Sequence, residues 1–316
     1  MSGLPHPLDA PLTLVHHSPD LNIEALVSLV TDAVDSPHTR RAYGRSIREF
    51  LEWYTETNQV QFTKATVQRY VSKLRSDGIT AGSINQRLVA IRRLAREAAD
   101  NHAMRPEDAA SVASVGSVKQ RGKRLGHWLS RDQVTKLLAV PDVSTLGGLR
   151  DRAILAVLVG CGLRRAELAG LTFEQIQQRE GRWMITDLVG KGNKLRSVPM
   201  PAWAKVAVNG WAKAADLHSG KVFRRVNKAG KLTGDSLTAQ AIRNVVSEAG
   251  QVLGVELAPH DLRRTFAKLA HKGGAALDQI QLSLGHASIQ TTERYLGIDQ
   301  DLADAPCDHL GIGLAA

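Results

Sequence analysis

Apolar residues recur at helical spacing from residue 21 to about 99, lose all period between 104 and 126, and regain it from Leu129 onward. A chain interrupted in this way builds two separately buried cores, because neither apolar stripe continues into the other. At 316 residues, each half is long enough to bury a core of its own. The expected organisation is a loose arm over 1–20, a helical domain over 21–105, a basic linker over 106–127, a second domain over 128–297 and a tail over 298–316.

In the first half, Leu21, Ile23, Leu26, Leu29, Val30 and Val34 follow helical spacing. Ser36 before Pro37 marks a helix start, a hydroxyl cap followed by the residue that suits the first helical position. The helix it opens sets Tyr43, Ile47, Phe50, Leu51 and Tyr54 on one side and Arg40, Arg41, Arg45 and Arg48 on the other. Helices follow over about 63–76, ended by Asp77 and Gly78, and over about 83–99, where Arg87, Arg92, Arg93 and Arg96 line the polar side. Four helices with short connections form a bundle. A single arginine-rich helix is ordinarily a solvated face. Two of them in one small domain suit a duplex backbone, since each guanidinium fork matches phosphate oxygens. The linker adds Lys119, Arg121, Lys123 and Arg124, either as a solvated tether or as a segment laid along DNA.

Past Leu129, Ser130 caps a helix, and further helices cover about 149–160 and 165–170. The period then changes. Residues 183–188 and 195–200 read as strands on either side of the turn Gly190-Lys191-Gly192-Asn193-Lys194, a hairpin. Helices resume over about 202–215, 239–249, 260–272, 276–284 and 289–295. The expected fold class is mainly α with a small antiparallel β-sheet.

Lysine and arginine number 41 against 31 aspartates and glutamates, a net charge of +10 and a pI near 9.8. Such a balance favours a polyanionic partner, because neutralising phosphates releases counterions. With 43% apolar residues the chain is globular rather than disordered. Cys161 and Cys307 match no metal spacing and predict no disulfide framework, in keeping with a reducing cytoplasm. No apolar run reaches the roughly 20 residues that span a bilayer, and no signal segment is evident, so a cytoplasmic, nucleoid-associated protein is expected.

Four segments carry chemistry. Gly160-Cys161-Gly162-Leu163-Arg164-Arg165-Ala166-Glu167-Leu168 resembles the first signature of the tyrosine recombinase, or phage integrase, family, in its Xer-like form. The hairpin around Lys191, with Val198-Pro199, resembles the second, and Pro259-His260-Asp261-Leu262-Arg263-Arg264-Thr265-Phe266 the third. Leu284-Gly285-His286, running on through Thr291-Thr292-Glu293-Arg294-Tyr295, resembles the fourth. The likeness covers the second domain as a catalytic domain, and the first is similar to the family's SAM-like core-binding bundle. Arg264 stands where many relatives have histidine, and Cys161 where a small hydroxyl residue is frequent.

The resemblance implies a role for each residue. Tyr295 is the nucleophile, Arg164 and Arg263 grip the scissile phosphate, and Lys191 protonates the leaving oxygen. His260 is acid–base and phosphate ligand, His286 adds a hydrogen bond, and Glu167 orients Arg164. It further implies double-stranded DNA as partner, a tetramer in the synaptic complex, a possible accessory or second recombinase protein, and no cofactor. The chemistry accords with these roles. Displacement at a phosphodiester spreads negative charge over non-bridging oxygens, which fixed cations stabilise. A tyrosine with pKa near 10 attacks at neutral pH only beside such cations. His260, His271 and His286 have no zinc-like spacing, so no metal is expected. A topoisomerase of type IB, and a DNA-binding accessory protein with a vestigial site, stay open as alternatives. Leu302, Leu310, Ile312 and Leu314 give the tail either a docking face for a neighbouring subunit or merely a frayed end.

Overall fold

The computed structural model describes residues 22–57, 59, 61–119, 127–190 and 195–296. The chain divides into two compact units on either side of residue 123. The arm over 1–20, Leu21, the linker cations Arg121, Lys123 and Arg124, Lys191, and the tail over 298–316 with Cys307 lie outside the described residues.

The first unit is a bundle of α1 (Ile23–Thr31), α2 (Pro37–Glu56), α3 (Lys64–Ser76), α4 (Ala81–Asp100) and α5 (Pro106–Ala113). Caps set its boundaries. The side chains of Asn22, Ser36, Thr63 and Thr80 each accept a backbone N–H of the first turn. Gly78, at φ +73°, turns the chain out of α3 in a conformation that costs other residues strain. Phe50, Leu51, Tyr54, Val67, Tyr70, Leu88, Ile91 and Leu94 fill the core. Phe50 meets Phe62 and Tyr70 with ring centroids 5.2 Å apart in both pairs.

Helix α5 corrects the linker expected over 106–127. Pro106 takes the first helical position, Glu107 and Asp108 complement the positive end of the helix, and Ala109, Val112 and Val115 are buried in the same core. Asn85 of α4 then fastens Val118 through both its backbone N–H and its carbonyl. Of the four linker cations, Lys119 alone lies among the described residues, exposed.

The second unit holds α6 (Arg131–Ala139), α7 (Leu146–Cys161), α8 (Arg165–Gly170), the strands β1 (Ile176–Arg179), β2 (Arg182–Val189) and β3 (Leu195–Pro199), and α9 (Ala202–Ala214). A two-stranded ribbon follows, β4 (Arg225–Val226) with β5 (Leu232–Thr233), then α10 (Ala239–Val252), α11 (Pro259–Lys272), α12 (Leu277–Leu284) and α13 (Ile289–Leu296). The expected hairpin is the β2–β3 pair of a three-stranded antiparallel sheet in the order β1-β2-β3. Helix α7 is buried without a break from Ala153 to Val159 and forms the spine of this unit's core. The Leu129 N–H donates to Thr265 Oγ1, pinning the entry of the unit to α11. Among the described residues no helix is long and apolar enough to cross a membrane.

Candidate active site

Helix α7 ends at Gly162, whose φ of +59° reverses the chain toward α8. A side chain at this position would begin 2.6 Å from the ring of Phe266, so this close approach admits only glycine. Arg164 follows as the residue that opens α8, with 36% of its side chain exposed. Its backbone N–H donates to Glu167 Oε2 and its Nη1 to Glu167 Oε1, each at 2.7 Å.

Arg263 lies on α11, one turn beyond His260, and is only 2% exposed. Its Nη1 donates to the Gly162 carbonyl at 2.5 Å and its Nη2 to the Leu284 carbonyl. Arg164 Nη2 reaches the neighbouring Gly285 carbonyl at 3.4 Å. The end of α12 thus brings the two arginines together. Gly285, at φ +62°, turns the chain into His286, whose Nδ1 lies 3.0 Å from the hydroxyl of buried Thr292 on α13. A hydroxyl donating to Nδ1 leaves the ring proton on Nε2.

Electrostatics report the same convergence. The pKa of His286 falls to about 4, first through burial, then through Arg263, Arg164, His260 and Arg196. That of His260, on the solvent-reaching first turn of α11, is lowered by partial desolvation and by Arg264 and Arg263. Both rings are therefore neutral at pH 7. Burial alone would raise the Glu167 carboxyl; Arg196 and the N–H groups of Arg164 outweigh it and hold the pKa at about 2.

These shifts predict a pH dependence of stability. Both imidazoles take up protons in the unfolded chain, below about pH 6.5, before they do so in the fold, so acidification favours unfolding. Stability is complete above that pH and declines toward pH 4 as His286 remains neutral. Glu167 extends the loss from about pH 4.5 down to about 2. Thermal melts should fall steadily between pH 7 and 4, and less steeply for His286→Asn. Identical slopes in the two proteins would contradict the assignment.

Tyr295 lies on α13, next to Leu296, which is fully buried against Ala267, Ile280 and Leu284. Its side chain, like Lys191, lies outside the described residues; in sequence Lys191 falls between β2 and β3. The structure adds one residue that the sequence reading omitted, Arg196 on β3. Its guanidinium grips Glu167 with both arms, Nη1 to Oε1 at 2.9 Å and Nη2 to Oε2 at 2.8 Å. A signal for it existed: strand alternation puts Arg196 on the same face as buried Val198, where an unpartnered charge is costly. Among the described residues no three of His, Cys, Asp and Glu gather closely enough to hold a metal ion.

The eight arginines of α2 and α4 divide by partner. Arg48 pairs with Glu24, Arg87 with Glu49 and Arg93 with Glu97. Arg40 donates to the Val34 carbonyl, and Arg92 to that of Val115. Arg41, Arg45 and Arg96 are exposed and make no side-chain hydrogen bond or ion pair among the described residues. Arg41 and Arg45 line a cleft with His38, Gln86 and Arg87, so the two helices jointly present one basic surface.

Comparisons with known proteins bear on both units. The Phage integrase family profile matches residues 127–301, and the Phage integrase, N-terminal SAM-like domain profile matches residues 28–102. Tyrosine recombinase XerC of Pelobacter propionicus is 31% identical over 281 residues, covering 86% of this chain and 89% of the relative. Tyrosine recombinase XerD of Bifidobacterium longum is 31% identical over 284 residues, covering 83% and 87%. Among solved structures, the XerH site-specific recombinase bound to palindromic difH substrate, in a post-cleavage complex, superposes with a TM-score of 0.66 at 19% identity. It covers 83% of this chain and 76% of that one, and the likeness is one of fold.

Proposed function

Because the chain belongs to the phage integrase family of tyrosine recombinases, we propose that it cuts and rejoins duplex DNA at specific sites through a phosphotyrosyl intermediate on Tyr295. The observation that carries this reading is the meeting of Arg164, Arg263, His260 and His286 around the end of α12.

In the proposed reaction, Tyr295 Oη attacks the scissile phosphorus and forms a P–O bond while the bond to the 5′ oxygen breaks. The DNA 3′ phosphate is left on the enzyme. Lys191 gives the departing oxygen its proton, and the tyrosine proton passes to a neutral imidazole or to water. Arg164 and Arg263 stabilise charge on the non-bridging oxygens, a role for which permanently charged forks suit. The phosphotyrosyl ester conserves the energy of the broken link. A 5′ hydroxyl from another strand then reverses the attack, so the reading assigns no nucleotide, cofactor or metal. Exchange between two duplexes cuts four strands and needs four nucleophiles, hence a tetramer on DNA. Integration, excision and resolution of DNA all follow from this one exchange.

A duplex nicked just 3′ of the cut, so that the short piece bearing the freed 5′ hydroxyl diffuses away, tests the proposal. The chain should become covalently joined to it, visible on a denaturing gel and insensitive to EDTA. A shifted band on a native gel with no adduct would overturn the reading in favour of a binding protein. Relaxation of supercoils without joining of two sites would move it to a topoisomerase.

The arginine division makes a separate prediction for DNA binding. Phosphate contacts set the slope of log affinity against log salt at about 0.9 per contact. Arg41→Ala and Arg45→Ala should each flatten that slope by about 0.9. Arg48→Ala, whose charge Glu24 already balances, should leave it nearly unchanged. Equal slopes in all three variants would sink this division.

A further inference from the structure

Three consecutive carbonyls close α12, and each accepts from a different arginine. Ser283 O takes Arg196 Nε at 3.0 Å, Leu284 O takes Arg263 Nη2, and Gly285 O takes Arg164 Nη2 at 3.4 Å. The last carbonyls of a helix have no partner within it and carry the negative end of its dipole, so guanidinium groups satisfy them well. Arg164 and Arg263 belong to the proposed phosphate grip. Arg196 does not fit that role, since its Nε, Nη1 and Nη2 are already given to the Ser283 carbonyl and the Glu167 carboxylate.

What Arg196 touches is Glu167. The carboxylate accepts four hydrogen bonds, two from the Arg196 fork and two from Arg164, its full capacity. Glu167 is itself 7% exposed, so this pairing is shielded from salt and solvent. The stem of Arg196 also fills the space beside Gly285, where a Cβ would sit 2.9 Å from its Cδ. Arg196 stands on β3, five positions beyond Lys191, so its contacts fasten that strand to Glu167 and to α12 at once.

We propose that Arg196 is a positioning residue of the recombination reaction, which holds Glu167 so that the Arg164 guanidinium stays aimed and β3 stays docked on α12. The proposal rests on the reading given under Proposed function. It explains why an arginine stands here. A lysine supplies one point of charge and cannot bridge two carboxylate oxygens while also serving a carbonyl. A mispointed phosphate ligand slows a positioned reaction steeply, by about 10²-fold for a displacement near 1 Å.

The test is a mutant cycle on the nicked substrate, with the full chain and a thermal melt of every variant. Arg196→Ala and Glu167→Gln should each slow cleavage on the order of 10²-fold, with native-gel binding retained. The double variant should be no slower than the slower single one, because both changes release the same Arg164. Arg196→Lys, which keeps charge and stem, should melt close to the unaltered chain yet still cleave slowly, so the test survives if the alanine variant folds poorly. Arg196→Ala frees Glu167 from two of its four bonds, so its cleavage rate should acquire an acid limb at higher pH than in the unaltered chain. That limb should vanish when Glu167→Gln is added. A double variant about 10⁴-fold slower, the product of two independent losses, overturns this proposal alone, as does lowered melting with normal cleavage by both Arg196 variants. Failure of the unaltered chain to form any adduct overturns it together with the function it rests on.

Discussion

Replacing Tyr295 with phenylalanine is expected to remove the covalent DNA adduct altogether while leaving the native-gel shift unchanged. The substitution deletes one oxygen and keeps the ring, so the change falls on the nucleophile and not on packing. No neighbouring hydroxyl inherits the role, because attack requires the reacting oxygen to lie in line with the leaving one, and distances near 3 Å set that geometry. Helix α13 itself is anchored through Leu296 and Thr292, both fully buried, so the segment should keep its fold in the variant. The nicked substrate and a denaturing gel read the result directly. An adduct formed by Tyr295→Phe at a rate within tenfold of the unaltered chain would remove Tyr295 from the mechanism.

The second large effect concerns Arg263. Its alanine variant is expected to cut at least about 10³-fold more slowly, the scale on which a single charged or oxyanion-stabilising group acts. Unlike a surface cation, it also supports the fold. At 2% exposure, with bonds to the carbonyls of Gly162 and Leu284, it holds the exit of α7 against the end of α12. Truncation leaves both acceptors buried without that donor and opens a cavity, a loss of about 3–5 kcal/mol. A drop in melting temperature should therefore accompany the lost activity. Arg263→Lys separates the two effects, since it keeps the charge and much of the volume. It should melt between the alanine variant and the unaltered chain and still cleave poorly, for want of the fork. Cutting by the alanine variant within tenfold of normal would refute the phosphate role.

Periodicity sufficed to find most helices, because caps such as Ser36, Thr63 and Ser130 coincide with the start of apolar stripes. It failed at α5. A segment of alanines and serines has a shallow apolar face, and its membership of the core depends on Val112 and Val115 meeting α4, a tertiary fact. Strand β1 escaped for a related reason, as Ile176-Gln177-Gln178-Arg179 is polar and becomes a strand only by pairing with β2. At the site, the motifs identify which residues belong together and say nothing of their burial. Arg263 and Arg164 read alike in sequence, whereas one is enclosed and the other opens to solvent. Arg196 went unremarked because its partner, Glu167, lies 29 positions away. Nor does a helical wheel reveal which arginines of α2 and α4 have already met a carboxylate.

The bonds at the end of α12 span 121, 87 and 21 positions along the chain. No local segment can make them in isolation. During synthesis the earlier parts of a chain fold first, so the proposed phosphate grip stays unassembled until residues 283–285 have emerged and docked. A partly made or partly melted molecule still carries the basic helices of its first unit, yet on the proposed mechanism it lacks the means to break a strand. On the proposed function, strand cutting is thereby confined to copies whose second unit has folded through.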